Sequence, residues 1–277
     1  MERIEIEQVF VRNIKDYYKN NNVDFEQSSS RDFHLFLIDY FEVLRKGIIP
    51  KKRKVYFSKE LKLKSKSSDF KKWRNRLNEL KIMFENGENM NPFLSRQARV
   101  SGFKDRLLTC WNIHHLHFYP QKKSGDMLLF AIVEENAVYM VDVLPHSKKY
   151  VFSTFHLLNI VHDNWKFLQE PNRIKGATRV EYIIKTDEEV DKLRKAGVST
   201  IIQLGSDIYA LDMMSTDGHS TQDVMYANQI CKSLSLNEKN GVFASCKLID
   251  LSLTYTLRPS FVLTYLNENN EMGVWVL

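Results

Sequence analysis

Cysteine is scarce in this chain, and long apolar runs are missing from it. The three cysteines, Cys110, Cys231 and Cys246, are odd in number and include no C-x-x-C pair. Neither a disulfide framework nor a cysteine-rich zinc site is therefore expected, and a reducing cytoplasm is the expected location. No apolar run approaches the roughly 18 residues of a membrane span, and the first residues alternate charged and apolar side chains, unlike a signal peptide. We therefore expect no membrane partner.

Glycine-rich phosphate loops are missing as well. Gly205-Ser206-Asp207 has the composition of a plain turn and lacks the spacing of a phosphate loop. What the chain does have is 277 residues with 43% hydrophobic content, enough to bury a sizeable core and to form about two domains. The sequence therefore predicts a soluble globular protein.

Positive charge is concentrated in the middle of the chain. Residues 51–125 contain 19 lysines and arginines against six aspartates and glutamates, whereas residues 1–50 and 126–277 are each net acidic. Such a field attracts nucleic acid or an acidic membrane or protein surface, and its contribution to affinity falls as salt rises. The alternative is a solvated helix face. The residues predicted to bind nucleic acid are Lys51, Lys52, Arg53, Lys54, Lys122, Lys123, Lys148 and Lys149.

Hydrophobic periodicity predicts helices first and strands afterwards. Apolar residues at helical spacing indicate helices over 4–18, 33–44 and 68–84, with a short strand at 54–57. Three antiparallel strands then form a β-meander, and a helix capped by Ser153 covers it. The strands are expected at 113–118, 127–133 and 137–143 and the covering helix at 153–165.

The last hundred residues are predicted to form a separate module. Thr186 to Glu189 has the pattern of a capping box, and Gly197 is expected to end the helix that it starts. A second hairpin, a helix over 222–234 and closing strands follow. The predicted fold class is α+β. Its regions are a mainly helical part at 1–105 with a basic segment at 51–106, a histidine-bearing β-meander plus helix at 106–170, and a C-terminal α+β module at 177–277.

A strand with three histidines, followed by a fourth histidine beyond the hairpin, is the densest group of reactive side chains. Alternate residues of a strand share a face, so His115 and His117 point one way and His114 the other. Two imidazoles so placed lie about 6 to 7 Å apart along the strand. His146 follows the hairpin's second strand, and its approach to the pair depends on strand register.

Paired imidazoles titrate near neutral pH, so they can take a proton from an attacking hydroxyl and give one to a leaving oxygen. The sequence thus predicts metal-independent cleavage of RNA through its 2′-hydroxyl, with His115 and His117 as acid and base and His146 as a third participant. No metal or other cofactor is assigned. Two alternatives stay open: the histidines are structural, or they bind zinc or manganese together with Asp105 or Asp142.

Three classes of function follow from these features. The first is a nucleic-acid-binding endoribonuclease in a toxin or phage-defence role, with RNA as the favoured partner. The second is a non-enzymatic protein that binds nucleic acid or regulates a partner, and the third is a scaffold for an acidic protein; a homo-oligomer also stays open. The aromatics Trp111, Tyr119 and Tyr150 either stack on bases or belong to the core and its rim.

The histidine segment resembles a widespread bacterial family of uncharacterised intracellular proteins. The matching residues are Asp105-x-Leu107-Leu108-x-x-Trp111-x-Ile113-His114-His115-Leu116-His117, then Leu128-Leu129-Phe130, Tyr139-x-x-Asp142-Val143, His146 and Asn164-Trp165. The likeness extends to 45–61 and 186–197 and covers about two thirds of the chain. It implies a bacterial origin and a single motif, without an activity. The meander with its covering helix is also similar in outline to ribonuclease toxins of the RelE type, and no site residue carries over from them.

Overall fold

The computed structural model describes residues 3–25, 32–120, 127–177, 184, 186–211, 214–240, 247–254, 260–266, 269 and 272–276. These residues form helices and strands in an α+β arrangement, which confirms the predicted fold class. The helices are α1 (Arg3–Asn20), α2 (Phe33–Lys46), α3 (Lys59–Lys66), α4 (Lys71–Asn86), α5 (Arg106–Trp111), α6 (Phe155–Trp165), α7 (Asp187–Lys195) and α8 (Thr221–Lys239). The strands are β1 (Lys54–Phe57), β2 (His114–His117), β3 (Met127–Val133), β4 (Ala137–Pro145), β5 (Ile202–Leu204), β6 (Asp207–Tyr209), β7 (Lys247–Thr254), β8 (Ser260–Leu266) and β9 (Met272–Val276).

The chain forms two compact units, each assembled from separate segments. The terminal unit contains Met1–Arg45, Arg99–Phe103 and Thr221–Leu277, and the histidine unit contains Lys46–Ala98 and Lys104–Ser220. The three consecutive regions expected from the sequence stay a prediction. Among the described residues no helix is long and apolar enough to cross a membrane.

In the terminal unit, α1, α2 and α8 share a core rich in aromatic side chains. Phe10 lies 4.5 Å from Phe261 between ring centroids, and Tyr40 and Phe41 pack on the same phenylalanine. The strands β7, β8 and β9 form an antiparallel sheet in that order. The periodicity of the sequence correctly predicted these helices, because their buried residues repeat at helical spacing.

A four-stranded sheet in the order β1-β4-β3-β2 organises the histidine unit. The antiparallel pairing of β2, β3 and β4 confirms the predicted meander. The sequence placed β1 outside that meander, but β1 pairs with β4 in parallel, with Lys54 opposite Ala137 and Phe57 opposite Met140. A parallel pair needs a long connection, and here the chain between the two strands supplies it.

The two faces of this sheet are covered by different helices. On one face, Phe130 and Leu144 pack with Leu157 of α6, which confirms that α6 covers the meander. On the other face, Leu129 and Val143 pack with α4. Each fully buried apolar side chain of this size contributes about 1.5 to 3 kcal/mol to stability. The predicted helix cap at Ser153 was wrong, because Ser153 lies in a 3-10 turn and Thr154 is the first residue before α6.

A β-bulge interrupts the pairing of β3 with β4. Phe130 lies opposite Asp142 and Ala131 lies opposite Met140, so Val141 is an extra residue in β4. A bulge of this kind turns two successive side chains toward one face. Val141 packs in the same core cluster as Phe130, and the side chain of Asp142 is fully buried.

The capping box predicted for α7 is present, and Gly197 follows the end of that helix. The Thr186 hydroxyl accepts from the Glu189 N–H, and the Glu189 carboxylate accepts from the Thr186 N–H. Gly197 has a φ of 70° and lies so close to the chain that an added Cβ would stand 2.4 Å from the carbonyl oxygen of Thr216. Glycine is therefore required there both by conformation and by space.

Gly197→Ala is expected to lower the free energy of unfolding by at least about 2 kcal/mol, because the left-handed conformation costs about 1 to 2 kcal/mol and the backbone contact adds to it. Denaturant unfolding measures the change. Gly176→Ala is the matched control: Gly176 has a φ of 78° with nothing within 4 Å of an added Cβ, so a loss of only about 1 kcal/mol is expected. Equal losses in the two variants would contradict the close contact with Thr216.

Candidate active site

The register of the sheet places His117, the last histidine of β2, next to His146. His117 lies opposite Leu128 of β3, and the neighbouring Met127 lies opposite Pro145, the last residue of β4. His146 comes directly after Pro145, so its ring reaches His117. The two imidazoles are 5.9 Å apart between centroids, with an angle of 26° between their planes. The sequence left this approach open because it depends on strand register.

His115 lies deeper than His117. Its side chain is only 13% exposed, and its Nδ1 is 3.6 Å from a carboxylate oxygen of Asp105. Asp105 is held in place as the N-cap of α5, where it accepts a hydrogen bond from the Leu108 N–H at 3.1 Å. Within the described ranges, Nδ1 of His115 has no hydrogen-bond partner. His114 is buried with its side chain directed to the opposite face, as the alternation of the strand predicts.

One phenylalanine ring lies against two of the histidines. Phe152 is 4.9 Å from His115 and 6.1 Å from His146 between ring centroids. Its backbone carbonyl accepts a hydrogen bond of 3.0 Å from Nη1 of Arg194, whose guanidinium lies 3.7 Å from the Trp111 ring centroid. Arg194 is only 2% exposed. The three histidines therefore form one cluster, the histidine site, supported from below by a buried arginine.

Burial keeps His115 and His117 neutral. It lowers the pKa of His115 below its ordinary value, since desolvation outweighs the attraction of Asp105, and the charge of His146 adds to the lowering. The pKa of His117 is lowered first by burial and then by the charges of His115 and His146. The short distance to Asp105 alone would favour a protonated His115, but a ring this buried is poorly solvated as a cation. Both rings are therefore unprotonated at neutral pH.

The stability of the protein is expected to fall as pH drops from 7.5 through 6.5 toward 5. Because the pKa values of His115 and His117 are lower in the folded chain, the unfolded chain binds more protons in this window, and protonation favours unfolding. Urea unfolding at a series of pH values measures the slope. Asp142 does not interfere, since its pKa lies below 3.8. A His115→Gln variant should show a weaker slope, and a stability that rises on acidification would contradict the burial of these rings.

The basic stretch before β1 lies at the far edge of the sheet from the histidines. The strand order places β1 and β2 at opposite edges, which are about 14 Å apart at the usual strand spacing. Lys51 pairs with Glu135 at 3.0 Å, whereas Lys52 and Lys54 are exposed. The structure therefore does not bring this stretch to the histidine site.

Arg53 was grouped with these lysines as a phosphate ligand, but its guanidinium is occupied. It donates hydrogen bonds to the backbone carbonyls of Glu134 at 2.9 Å, Ile49 at 2.8 Å and Lys51 at 3.2 Å. A phosphate contact would have to replace these bonds, so the structure gives Arg53 a role in holding the β3–β4 turn against the start of β1.

Two lysines follow the last histidine of the site. Lys148 donates to the Thr154 hydroxyl at 3.2 Å, and the exposed Lys149 has its Nζ 4.7 Å from the Tyr150 ring centroid. They lie two and three residues after His146. Lys122 and Lys123, also predicted to bind phosphate, lie outside the described residues.

Asp142, one of the carboxylates considered as a metal ligand, is engaged elsewhere. Its fully buried carboxylate accepts from Lys64 Nζ at 2.5 Å and from the Val143 N–H at 2.8 Å, and it lies 3.1 Å from Nε2 of His156. Burial, the largest influence, raises its pKa, but the hydrogen bonds from His156 and Lys64 outweigh it, so the pKa lies below the ordinary value. This cluster links α3, β4 and α6.

The alternative metal site is not assembled around the histidines. In the part of the chain that the structure describes, no three ligand atoms from His115, His117, His146, Asp105 and Asp142 lie within 4.8 Å of one another. Asp105 approaches His115 alone. Two further histidines, His156 and His162 on α6, contact Asp142 and Tyr209 instead.

Sequence reasoning missed Phe152 and Arg194 as parts of the site. Both are brought there by contacts distant in sequence, since Arg194 donates to a residue 42 positions earlier. The motif offered one signal in Trp111, a buried aromatic that the arginine covers.

No protein-family model, curated protein or solved structure matches this chain. The resemblance to a bacterial family therefore stays a prediction.

Proposed function

We propose that this protein is a metal-independent endoribonuclease in which His117 and His146 transfer the protons. The observation that carries the proposal is the 5.9 Å separation of these two rings, with His146 exposed and His117 half-buried. RNA cleavage by its own 2′-hydroxyl needs one group to remove a proton and another to supply one on the two sides of a phosphate. A pair of imidazoles at this distance is suited to that task.

The environment of His117 supports its proposed role as the base. His117, with its lowered pKa, accepts the proton of the 2′-hydroxyl. The 2′-oxygen then attacks phosphorus, the bond from phosphorus to the 5′-oxygen breaks, and His146, as the proposed acid, gives a proton to that leaving oxygen. The products are a 2′,3′-cyclic phosphate and a 5′-hydroxyl.

His115 becomes a positioning residue in this proposal. The sequence suggested that His115 and His117 form the acid–base pair, but His115 is mostly buried and packs on Phe152. Its ring, with Asp105 on one side, fixes the position of Phe152, which in turn lies against His146. A residue of this kind acts through its neighbours rather than on the phosphate.

Two neighbouring cations support the same chemistry. Lys148 and Lys149 follow His146, and an ammonium group near the phosphate stabilises the negative charge that develops on its oxygens. The toxin or phage-defence setting stays a prediction from the sequence. So does the alternative of a non-enzymatic binding protein, for which the separate location of Lys52 and Lys54 is the supporting observation.

The test is incubation of the purified protein with labelled single-stranded RNA, with and without EDTA, at low and moderate salt. We expect cleavage that survives EDTA and that falls at least about 100-fold in His146→Ala. The matched control is His156→Gln, which replaces a half-exposed histidine on α6 and keeps a donor for Asp142; it should cleave like the wild type. Cleavage lost with EDTA would move the chemistry to a metal, and binding without cleavage would favour the non-enzymatic alternative.

A further inference from the structure

Four aromatic rings meet at the edge of the sheet that lies farthest from β2. Tyr56 of β1 lies directly opposite Tyr139 of β4, and their rings stack with 5.4 Å between centroids and 16° between planes. Trp165 lies 5.1 Å and Phe167 lies 5.8 Å from the ring of Tyr139. We call these four rings the aromatic platform.

The inner rings of the platform are supported by the core, and the outer rings face solvent. Tyr139 and Trp165 are partly buried and pack against the apolar cluster below them. Tyr56 is 44% exposed and Phe167 is 60% exposed. Each outer ring is held in place by an inner ring. A planar ligand can therefore stack on it with little entropic cost for ordering the side chain.

Two exposed lysines lie beside the platform. Lys54 shares a face of β1 with Tyr56, since the two are separated by one residue, and Lys52 lies two residues earlier. Both lysines are exposed, and within the described part of the chain neither has an ion-pair partner. Two acids of the β3–β4 turn lie nearby: Glu135 pairs with Lys51 at 3.0 Å, and Glu134, which accepts a hydrogen bond from Asn112 at 3.4 Å, is close enough for its charge to act on Tyr139.

Exposed aromatic rings beside lysines without ion-pair partners are suited to binding single-stranded nucleic acid. Base–aromatic stacking is tolerant of sequence, and cations that follow the backbone complement it in sites for single-stranded nucleic acid. We infer that the aromatic platform binds bases of single-stranded RNA by stacking, with Lys52 and Lys54 against the phosphates. The inference rests on the proposed function, because it takes the same polymer as ligand, and it adds a second contact surface at the opposite edge of the sheet from β2.

A duplex does not meet the same requirements. Its bases are already stacked and paired, so their faces are not available to Tyr56 or Phe167. The platform should therefore bind single strands more tightly than duplexes of equal length. Lysines alone would bind both forms of RNA.

The test is a titration of labelled single-stranded RNA, followed by fluorescence anisotropy and by tryptophan emission, in the His117→Ala background to prevent cleavage. Tyr56→Ala and Phe167→Ala should each weaken binding by about tenfold or more. Tyr56→Phe keeps the ring and should bind like its parent. Leu63→Ala removes an exposed apolar side chain of α3 and is the matched control without effect. Trp165→Phe should reduce the quenching of tryptophan emission more than it reduces affinity.

Two outcomes would overturn the inference. The first is equal affinity in the parent and in both alanine variants. The second is a concentration-dependent dimer, seen by sedimentation, that Phe167→Ala dissolves without any change in RNA affinity. Cleavage of long RNA is measured separately with His117 intact. If the protein cleaves RNA but the platform variants bind RNA like their parent, the inference about the platform is wrong and the nuclease proposal stands. If the platform variants lose affinity but the protein does not cleave RNA, the nuclease proposal is wrong and the platform inference stands.

Discussion

His117→Ala is expected to lower the rate of RNA cleavage by about 10²- to 10⁴-fold while RNA affinity changes by less than about twofold. The ring is half-buried and neutral at pH 7, and it stacks with the His146 ring at 5.9 Å between centroids. Alanine removes the proposed proton acceptor but leaves the lysines that are proposed to hold the polymer. Single-turnover cleavage and anisotropy titrations of the same variant separate the two quantities.

The pH profile of the same reaction distinguishes a catalytic His117 from a structural one. The wild type should give a bell-shaped dependence, with the acidic limb below the ordinary histidine pKa of 6.5, because burial lowers the pKa of His117. His115→Gln, which alters a positioning residue, should lower the rate less and keep both limbs. A His117→Ala protein that cleaves at the wild-type rate would remove His117 from the mechanism.

Arg194→Ala is expected to lower the free energy of unfolding by about 3 to 5 kcal/mol. Arg194 is one of the largest fully buried side chains, it lies over Trp111, and it donates to the carbonyl of Phe152. Alanine leaves a cavity under the histidine site and a carbonyl without its donor. Denaturant unfolding measures the loss, and the cleavage rate should fall with it because Phe152 loses its anchor.

Two further variants test whether the expected loss of stability is specific to Arg194. Arg194→Lys should restore little stability, because an ammonium group cannot reproduce the planar contact with Trp111 and the hydrogen bond together. Lys195→Ala, at the next position, removes an exposed side chain paired with Asp191 and should change stability by less than about 1 kcal/mol. Equal losses at the two positions would contradict a specific role for the buried arginine.

Local patterns predicted much of this fold. The capping box at Thr186 and the hairpin of β3 and β4 were correctly predicted, because each depends on residues close together in sequence. The helix α3 was missed: it is rich in lysine, it buries only Leu61, and it depends on the Ser58 cap. The parallel pairing of β1 with β4 joins residues about 80 positions apart, which no local pattern records.

The site was predictable in its residue types but not in its geometry. Alternation along a strand placed His115 and His117 on one face, yet the pairing of His117 with His146 depends on how β2, β3 and β4 align. Counting charge gave Arg53 the same role as its neighbours, although its guanidinium binds backbone carbonyls. The aromatic platform escaped notice because Tyr56 and Tyr139 meet only through the parallel pair.

The most direct measurement is the chemistry of the ends that cleavage produces. The wild-type protein is incubated in EDTA with a labelled single-stranded RNA and with the same strand carrying one 2′-deoxy nucleotide at a cleaved position. Proton transfer by His117 and His146 predicts 2′,3′-cyclic phosphate and 5′-hydroxyl ends, and no cut at the deoxy position. Cleavage at the deoxy position, or ends that carry a 5′-phosphate, would show that water rather than the 2′-hydroxyl attacks, and would contradict the proposed mechanism.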